Sequence, residues 1–261
     1  MGLRDPDGER SRQVRLMPLA VPVILSLGMG ALFLDLELKA HVLRFYATFR
    51  PASPMSWGAW ILLAIYPATL LLGLAQATDA ELAKARGRLD RLRAWARERL
   101  WALRLANVLL GIALGVYTGI LLGTLGARAV WSSAVLGPLF LVSGLSTGAA
   151  FMMLFPLRHD EHGALRRWDM LAISAELALL VLFLIGLGTS GARGQEALSL
   201  FLGGPYTATL WSLVVVAGLL VPFALEHLES RRALRPTVAA PLLLLTGGLA
   251  LRVILVASGQ A

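Results

Sequence analysis

The stretch that decides the fold reads MSWGAWILLAIYPATLLLGLAQA, residues 55–77, and it contains no charged side chain. A helix rises about 1.5 Å per residue, so roughly 20 apolar residues cross a hydrocarbon core about 30 Å thick. Six further segments of the 261-residue chain have similar length and polarity. The seven predicted spans are residues 15–35, 55–77, 104–126, 134–156, 169–190, 206–227 and 237–257.

The composition of the whole chain agrees with these spans, which form one integral membrane domain over residues 1–261. Hydrophobic residues make up 57% of the chain and charged residues 15%, whereas a soluble domain carries about a quarter charged residues. Lipid admits only helices or closed barrels, and the segments lack the alternation of barrel strands. The sequence therefore predicts an all-α polytopic membrane helix bundle with seven transmembrane helices, and not a soluble enzyme.

The basic residues are distributed unequally between the two sides of the predicted membrane. Of 24 lysines and arginines, 18 lie in ends and loops on one side and five on the other. Positive charge marks the cytoplasmic side, so we expect a cytoplasmic N-terminus and a periplasmic C-terminus in a bacterial inner membrane. The net charge of +8 is then mainly a topology signal, and we predict no nucleic-acid partner.

The densest basic run, residues 82–103, interleaves leucines and tryptophans with arginines. This pattern predicts a cytoplasmic amphipathic helix that lies on the membrane surface before the third span. Its arginines are expected to face lipid phosphates, and the alternative is a docking surface for a cytoplasmic partner.

Metal and haem chemistry is disfavoured by residue type and position. The chain has no cysteine, so it has no thiolate to ligate an iron–sulfur cluster and no thiol nucleophile. A haem between helices needs axial histidines within the spans. All four histidines are predicted at helix ends or in loops: His41, His159, His162 and His227. The pair in the sequence HDEH, residues 159–162, is interpreted as a solvated turn, and no metal site is predicted.

Several polar residues are predicted in the outer half of the membrane. Asp35 and Glu37 end the first span, and Tyr117 lies about 20 Å along the third span. Arg252 lies about 22 Å along the last span, at a level it could share with Asp35. Glu176 is predicted at middle depth in the fifth span. Charged groups within a span usually mark functional sites, although a structural ion pair or an outward-reaching arginine is the alternative.

The loop before the second span adds aromatic and rigid residues to this outer region. It reads FYATFRPASPMSWGAW, residues 45–60, in which prolines stiffen the chain while Trp57 and Trp60 suit the membrane interface. The fourth span carries the small-residue stripe SGLSTGAA, residues 143–150, which favours tight helix packing. A phenol, an aspartate and an arginine beside an apolar crevice are groups that suit a quinone headgroup.

These features resemble the membrane subunit of the NrfD/polysulfide reductase family. The most specific block is FRPASPMSWGAW, residues 49–60, supported by Tyr117, by LFLVSGLSTGAA at 139–150, and by the tail from Leu251 to Gln260. The resemblance implies a haem-free anchor that exchanges electrons with the quinone pool, either menaquinone or ubiquinone. It also implies a four-cluster iron–sulfur subunit on the outer face and, through it, a molybdopterin catalytic subunit or, in other branches, multihaem cytochromes.

The resemblance places the quinone site near the outer surface, under the iron–sulfur subunit, with Tyr117 at a family position that hydrogen-bonds the quinone. The residues predicted to take part in electron and proton transfer are Tyr117, Asp35, Glu37 and Arg252. The residues predicted to contact the quinone are Tyr117, His41, Trp57, Trp60 and Arg252. The subunit is not expected to be catalytic by itself.

Family members usually begin with another span, which carries a histidine and an asparagine of the quinone site. By this comparison the chain is expected to lack that helix, through a late start codon, a naturally short chain or a helix supplied by another polypeptide. Two other functions stay open. A membrane transporter would explain Glu176 and Arg252, although inverted repeats and paired broken helices are not evident. A purely structural anchor would need no quinone chemistry.

Overall fold

The computed structural model describes residues 10–35, 50, 53–79, 81, 87, 89–124, 128–231 and 237–260. Across these residues the secondary structure is helical, without a strand, and seven helices are long and apolar enough to cross a membrane. The predicted all-α bundle of seven membrane-spanning helices is confirmed. The helices are α1 (Arg12–Asp35), α2 (Pro54–Gln76), α3 (Asp90–Glu98), α4 (Leu100–Gly123), α5 (Leu136–Met153), α6 (His159–Thr189), α7 (Gly191–Ser199), α8 (Thr209–Ser230) and α9 (Ala239–Ser258).

Helix α6 begins ten residues before the predicted fifth span. Its start is stabilised by Glu161, whose Oε2 accepts a hydrogen bond of 3.1 Å from the backbone N–H of Arg158. Asp160 and Glu161 also lie in the first turn, where negative charge interacts favourably with the helix dipole. The residues interpreted as a solvated turn, 159–162, are therefore the first residues of α6, because their acidic side chains favour a helix start.

The chain forms two compact units, residues 1–114 and 115–261, so α4 contributes residues to both. In the first unit, α2 packs against α1 and α3. Arg93 of α3 is buried and forms an ion pair with Asp79. Arg93 and Arg97 donate to the carbonyl oxygen of Ala77, and Arg97 Nε also donates to Ala75 O at 3.1 Å. These two arginines therefore satisfy carbonyls at the end of α2, which a helix leaves without partners.

In the second unit, α9 packs against α5 and α8, and α6 packs against α5 and α7. The core between these helices is apolar, and Leu136, Ile173 and Leu251 have no exposed surface. Helices α8 and α9 meet closely at Gly218 and Gly247, where a Cβ built on Gly218 would lie 2.6 Å from Gly247 Cα. Only glycine permits this separation, so these two positions fix the approach of α8 to α9.

Helix α8 changes type along its length. Residues Thr209–Leu220 form a π-helix, and Val221–Ser230 continue as an α-helix. The buried positions of the π-helical part are Leu210, Val214, Val215, Gly218 and Leu219, which recur after four or five residues. This wider turn keeps one apolar face against α9 where a regular α-helix would rotate it away, and such segments are frequent near functional sites.

Candidate functional site

A set of polar side chains lies inside the apolar core of the second unit. Five of them are almost completely buried, with exposed fractions between 0% and 2%. They come from three helices, α5, α6 and α8: Ser143, Ser146, Asp169, Glu176 and Glu226. Because buried polar groups are unfavourable without partners, this set is the strongest candidate for a functional site within the second unit.

Arg252 of α9 lies at one end of this set. Its Nη1 donates to the carbonyl oxygen of Gly248 at 2.8 Å. A Cβ on Gly248 would lie 3.2 Å from Nη1, and a Cβ on Gly144 of α5 would lie 3.9 Å from Nη2. The small-residue stripe of α5 and Gly248 of α9 therefore leave room for a guanidinium group between two apolar helices.

Glu176 of α6 is the carboxylate that lies within electrostatic range of Arg252. It is 2% exposed. The hydroxyl of Ser143 lies close to the Glu176 carboxyl, without a hydrogen bond of good geometry between them. Glu176 and Arg252 were both predicted within spans, and the structure brings their opposite charges into one region of the core.

A second group of buried polar side chains surrounds Asp169 of α6. Asp169 lies about 10 Å from Glu176 along the helix axis, toward the start of α6. Ser146 of α5 donates to Asp169 Oδ1 at 2.6 Å. The carboxyl group of Glu226, on α8, is within hydrogen-bonding reach of the Asp169 carboxyl. Asp169 and Glu226 are 0% and 1% exposed, and neither was predicted from the sequence as a functional residue.

Charged groups nearer the helix ends surround this pair. Glu229, one turn after Glu226, accepts hydrogen bonds from the backbone N–H and hydroxyl of Thr237 at 2.8 and 3.2 Å. Arg166 of α6 lies within electrostatic range of Glu226, and His162 within that of Glu229. We call this the arginine-rich end of the second unit, defined by Arg158, Arg166, Arg167 and Arg231.

The residues predicted to bind quinone fall in both units. Tyr117 is half-buried on α4 in the second unit. A Cβ on Gly119 would overlap the backbone of Gly137, and a Cβ on Gly115 would lie 2.7 Å from Leu141 Cδ1. The glycines beside Tyr117 therefore let α4 approach α5 closely at the level of this residue.

The remaining predicted residues belong to the first unit or lie outside the described residues. Trp57 and Trp60 are on the first two turns of α2 and are 50% and 41% exposed. Asp35 is the last residue of α1, and its side chain is not described, while Glu37 and His41 lie outside the described residues. Contact of these side chains with a common quinone stays a prediction.

A cavity of about 300 Å³ opens at the opposite end of the second unit from the arginine-rich end. It is lined by residues that precede α5, by α7 and by the last turn of α9, including Arg128, Arg193, Glu196, Ser258 and Gly259. Two guanidinium groups and one carboxylate share its wall with apolar side chains such as Val130 and Leu200, so the cavity offers charged groups for contact with a charged surface.

Comparison with known proteins agrees with these features. The family model described as polysulphide reductase, NrfD, matches residues 8–261. One component of the polysulfide reductase of Wolinella succinogenes is 26% identical over 260 residues, which cover 93% of this chain and 80% of that protein. One component of the tetrathionate reductase of Salmonella typhimurium is 28% identical over 199 residues, covering 76% and 55%.

A third relative is protein NrfD of Escherichia coli, which is 33% identical over 162 residues, or 59% of this chain and 51% of that protein. The chain thus aligns with about half the length of this relative. No solved structure matches the chain. The seven apolar helices and the family match over nearly the whole sequence show that this chain is an integral membrane protein of the NrfD family.

Proposed function

We propose that the chain is the membrane subunit of a respiratory reductase complex and exchanges electrons and protons with the quinone pool of a bacterial inner membrane. The observation that carries this proposal is the family match over residues 8–261, together with relatives named as components of polysulfide reductase and of tetrathionate reductase. The partner that receives or supplies electrons is an iron–sulfur subunit on the outer face, which serves a molybdopterin catalytic subunit.

The composition of the chain supports a carrier that comes from the membrane. Without cysteine the protein cannot hold a cluster through thiolates. A lipid-soluble quinone would supply the redox chemistry, since its quinone and quinol forms differ by two electrons and two protons. The chain would bind it and move protons, while the catalytic chemistry on the terminal substrate belongs to the partner subunits.

The donor and apolar groups fit a quinone in their chemistry. Tyr117 has a half-buried phenol that can donate a hydrogen bond to a quinone carbonyl. Trp57 and Trp60 keep about half of their surface accessible for an apolar ring. Arg252 is held by Gly248 with its positive charge inside the core. In this proposal Asp35 or Glu37 passes protons to the outer solvent, and His41 acts as a relay because histidine titrates near neutral pH.

The orientation follows from the charge distribution. The arginine-rich end of the second unit faces the cytoplasm, since positively charged loops remain on that side. The opposite end, which contains the cavity beside Arg128 and Arg193, faces outward. This places the cavity on the side where the iron–sulfur subunit is proposed to dock.

The test is Tyr117→Phe in the intact complex, with Tyr206→Phe as a matched control because Tyr206 is also a half-buried tyrosine of the second unit. Loss of a hydrogen bond worth about 1 kcal/mol predicts a fall of about fivefold in quinol-dependent turnover. The control should retain full turnover. Unchanged turnover and unchanged affinity for a quinone analogue in Tyr117→Phe would remove the proposed role of Tyr117.

Co-purification followed by quinone titration tests the function as a whole. An iron–sulfur partner that is reduced by quinol through this chain supports the proposal. A partner without quinone chemistry would instead identify a structural anchor, and substrate flux through the chain alone would identify a transporter. The buried Glu176 and the half-buried Arg252 are charges that a transporter would use, so that outcome has a defined structural basis.

A further inference from the structure

The buried carboxyl pair of α6 and α8 has no part in the proposed quinone chemistry. Asp169 and Glu226 are 0% and 1% exposed. Glu226 Oε1, Glu226 Oε2 and Asp169 Oδ2 are all buried, and the described residues offer none of these three atoms a hydrogen-bond donor. Only Asp169 Oδ1 has one, the hydroxyl of Ser146. Three unsatisfied carboxyl oxygens in one place point to a missing donor.

The arrangement of the two carboxyl groups identifies the missing donor. The groups lie within hydrogen-bonding reach of each other. An ionised carboxylate only accepts hydrogen bonds, so two ionised groups at this distance repel and leave their oxygens unsatisfied. When one group carries a proton, its O–H donates to the other, and two of the three oxygens become satisfied. The geometry is therefore that of a proton shared by two carboxyl groups.

The surrounding charges are consistent with one proton on the pair. Arg166 acts on Glu226 through its positive charge, while Glu229 adds negative charge beside Glu226 and is itself hydrogen-bonded to Thr237. Glu176 faces the Asp169 side from the same helix. A pair with one proton has a net charge of −1, which Arg166 offsets, whereas a fully ionised pair beside Glu229 and Glu176 would concentrate negative charge in the core.

The pair lies close to the arginine-rich end. Glu226 is four residues before the end of α8, about 6 Å along the helix, and Asp169 is about 15 Å from the start of α6. His162, in the first turn of α6, is half-buried and within electrostatic range of Glu229. Titratable groups thus lead from this end of the second unit to the carboxyl pair.

We propose that Asp169 and Glu226 together bind one exchangeable proton, which enters from the arginine-rich end of the second unit. This site is distinct from the proposed quinone residues and needs no quinone to exist. It provides the chain with a protonatable group on the side of the membrane opposite to the proposed quinone site, which is the requirement for taking up protons from that side.

Infrared spectroscopy of the full chain in lipid nanodiscs tests this proposal without quinone. The wild-type chain should show the carbonyl stretch of a protonated carboxylic acid, and that band should shift when the sample is transferred to D2O. Asp169→Asn and Glu226→Gln should each lose the band, because the amide then donates to the remaining carboxylate. Glu196→Gln is the control and should retain the band, because Glu196 is exposed and lies outside the pair.

The direction of entry is tested with the same chain inserted in one orientation in sealed vesicles. A pH jump on the side of the arginine-rich end should change the band, and a jump on the other side should not. Absence of the band in the wild type, persistence in both pair variants, failure to exchange in D2O, or a response only to the opposite side would each overturn the proposal. Either of the two pair variants suffices if the other does not fold. Because no quinone is present, failure here leaves the proposed quinone function untouched.

Discussion

Ser146 of α5 donates a hydrogen bond of 2.6 Å to Asp169 of α6, and both side chains are almost completely buried. This bond joins two helices that pack along their length in the second unit. A hydroxyl inside an apolar core is unfavourable without an acceptor, and a carboxyl group is unfavourable without a donor. The bond therefore gives the Ser146 hydroxyl an acceptor and the Asp169 carboxyl a donor. It also specifies how α5 and α6 are aligned.

Replacing Ser146 by alanine should destabilise the chain, because Asp169 then loses its only described donor. The expected loss is about 1–2 kcal/mol. Hydrogen bonds to charged groups contribute about 1.5–3 kcal/mol in soluble proteins, and hydrogen bonds between membrane helices contribute less. Thermal unfolding in detergent measures the change. Ser174→Ala is the matched control, since Ser174 is exposed and donates within its own helix to Met170. Equal melting temperatures for the two variants would contradict this prediction.

Two glycines of α4 should respond differently to the same substitution. Gly119→Ala forces a methyl group into the backbone of Gly137 and should cost roughly 1–3 kcal/mol, because α4 and α5 must separate. Gly111→Ala meets open space and should be neutral or stabilising by up to about 1 kcal/mol, through the better helix propensity of alanine. Melting temperatures of the two variants, measured side by side, decide the matter. A stable Gly119→Ala protein would show that α4 does not require this approach.

The charges of Arg252 and Glu176 should be coupled in a double-mutant cycle. Arg252→Met removes the positive charge and leaves Glu176 buried, which should destabilise the chain by about 2–4 kcal/mol. Adding Glu176→Gln should recover part of this loss, because the remaining buried charge is removed as well. Chemical or thermal unfolding of the four variants provides the coupling energy. Strictly additive effects would show that the two groups do not interact in the folded chain.

Stability in the first unit should depend on pH through Glu81, which lies after α2 and outside the spans. The backbone N–H of Thr78 donates to Glu81 Oε2 at 2.8 Å, and Arg15 Nη2 lies 3.3 Å from Oε1. The hydrogen bonds from Thr78, with the charge of Arg15, hold the pKa of Glu81 below its usual 4.5. A lowered folded-state pKa means that this stabilisation is present above the unfolded-state value and is lost as the pH falls through the folded-state value.

The measurement is the melting temperature of the protein from neutral pH to below 4.5. Glu81→Gln should lower it at neutral pH and reduce its dependence on acid. Glu98→Gln is the control, because the side chain of Glu98 is 73% exposed. If wild type and Glu81→Gln lose stability in parallel below that pH, Glu81 is not the titrating group.

The sequence was sufficient for the helical class because hydropathy alone identifies long apolar segments. The segment quoted at 55–77 forms α2 over Pro54–Gln76. Boundaries were less predictable where charged residues continue a helix beyond its apolar part. Helix α6 starts at His159, since Glu161 bonds the backbone of Arg158 and a charged turn does not end a helix.

The carboxyl pair could not be found from periodicity in one segment. Asp169 and Glu226 lie at the edges of the predicted spans 169–190 and 206–227, where acidic residues are common. One signal was present, because Asp169 and Glu176 are seven residues apart and so share a helix face. That Glu226 joins this face depends on the packing of α8 against α6, which no single-sequence pattern specifies. The π-helical turn of α8 further shifts which residues face inward.

The arginines of the basic segment before α4 differ from the prediction in what they contact. Its arginines were expected to face lipid phosphates, and Arg91 and Arg99 are exposed as that expectation requires. Arg93 is instead buried, and with Arg97 it binds carbonyl oxygens at the end of α2. The number of arginines cannot distinguish those that are exposed from those that bind carbonyl oxygens. The distinction depends on which arginine faces the end of the neighbouring helix.

The length of α6 has a consequence for how the protein meets its surroundings. Its 31 residues extend about 46 Å, which exceeds a hydrocarbon core of about 30 Å by roughly three turns. The exposed Trp168 lies where the charged part of α6 gives way to the apolar part, as expected for an indole in the headgroup layer. The first turns of α6 would then lie outside the hydrocarbon core, although Glu161 and Ala164 are buried within them. A protein that binds these first turns would contact the same helix that carries Asp169.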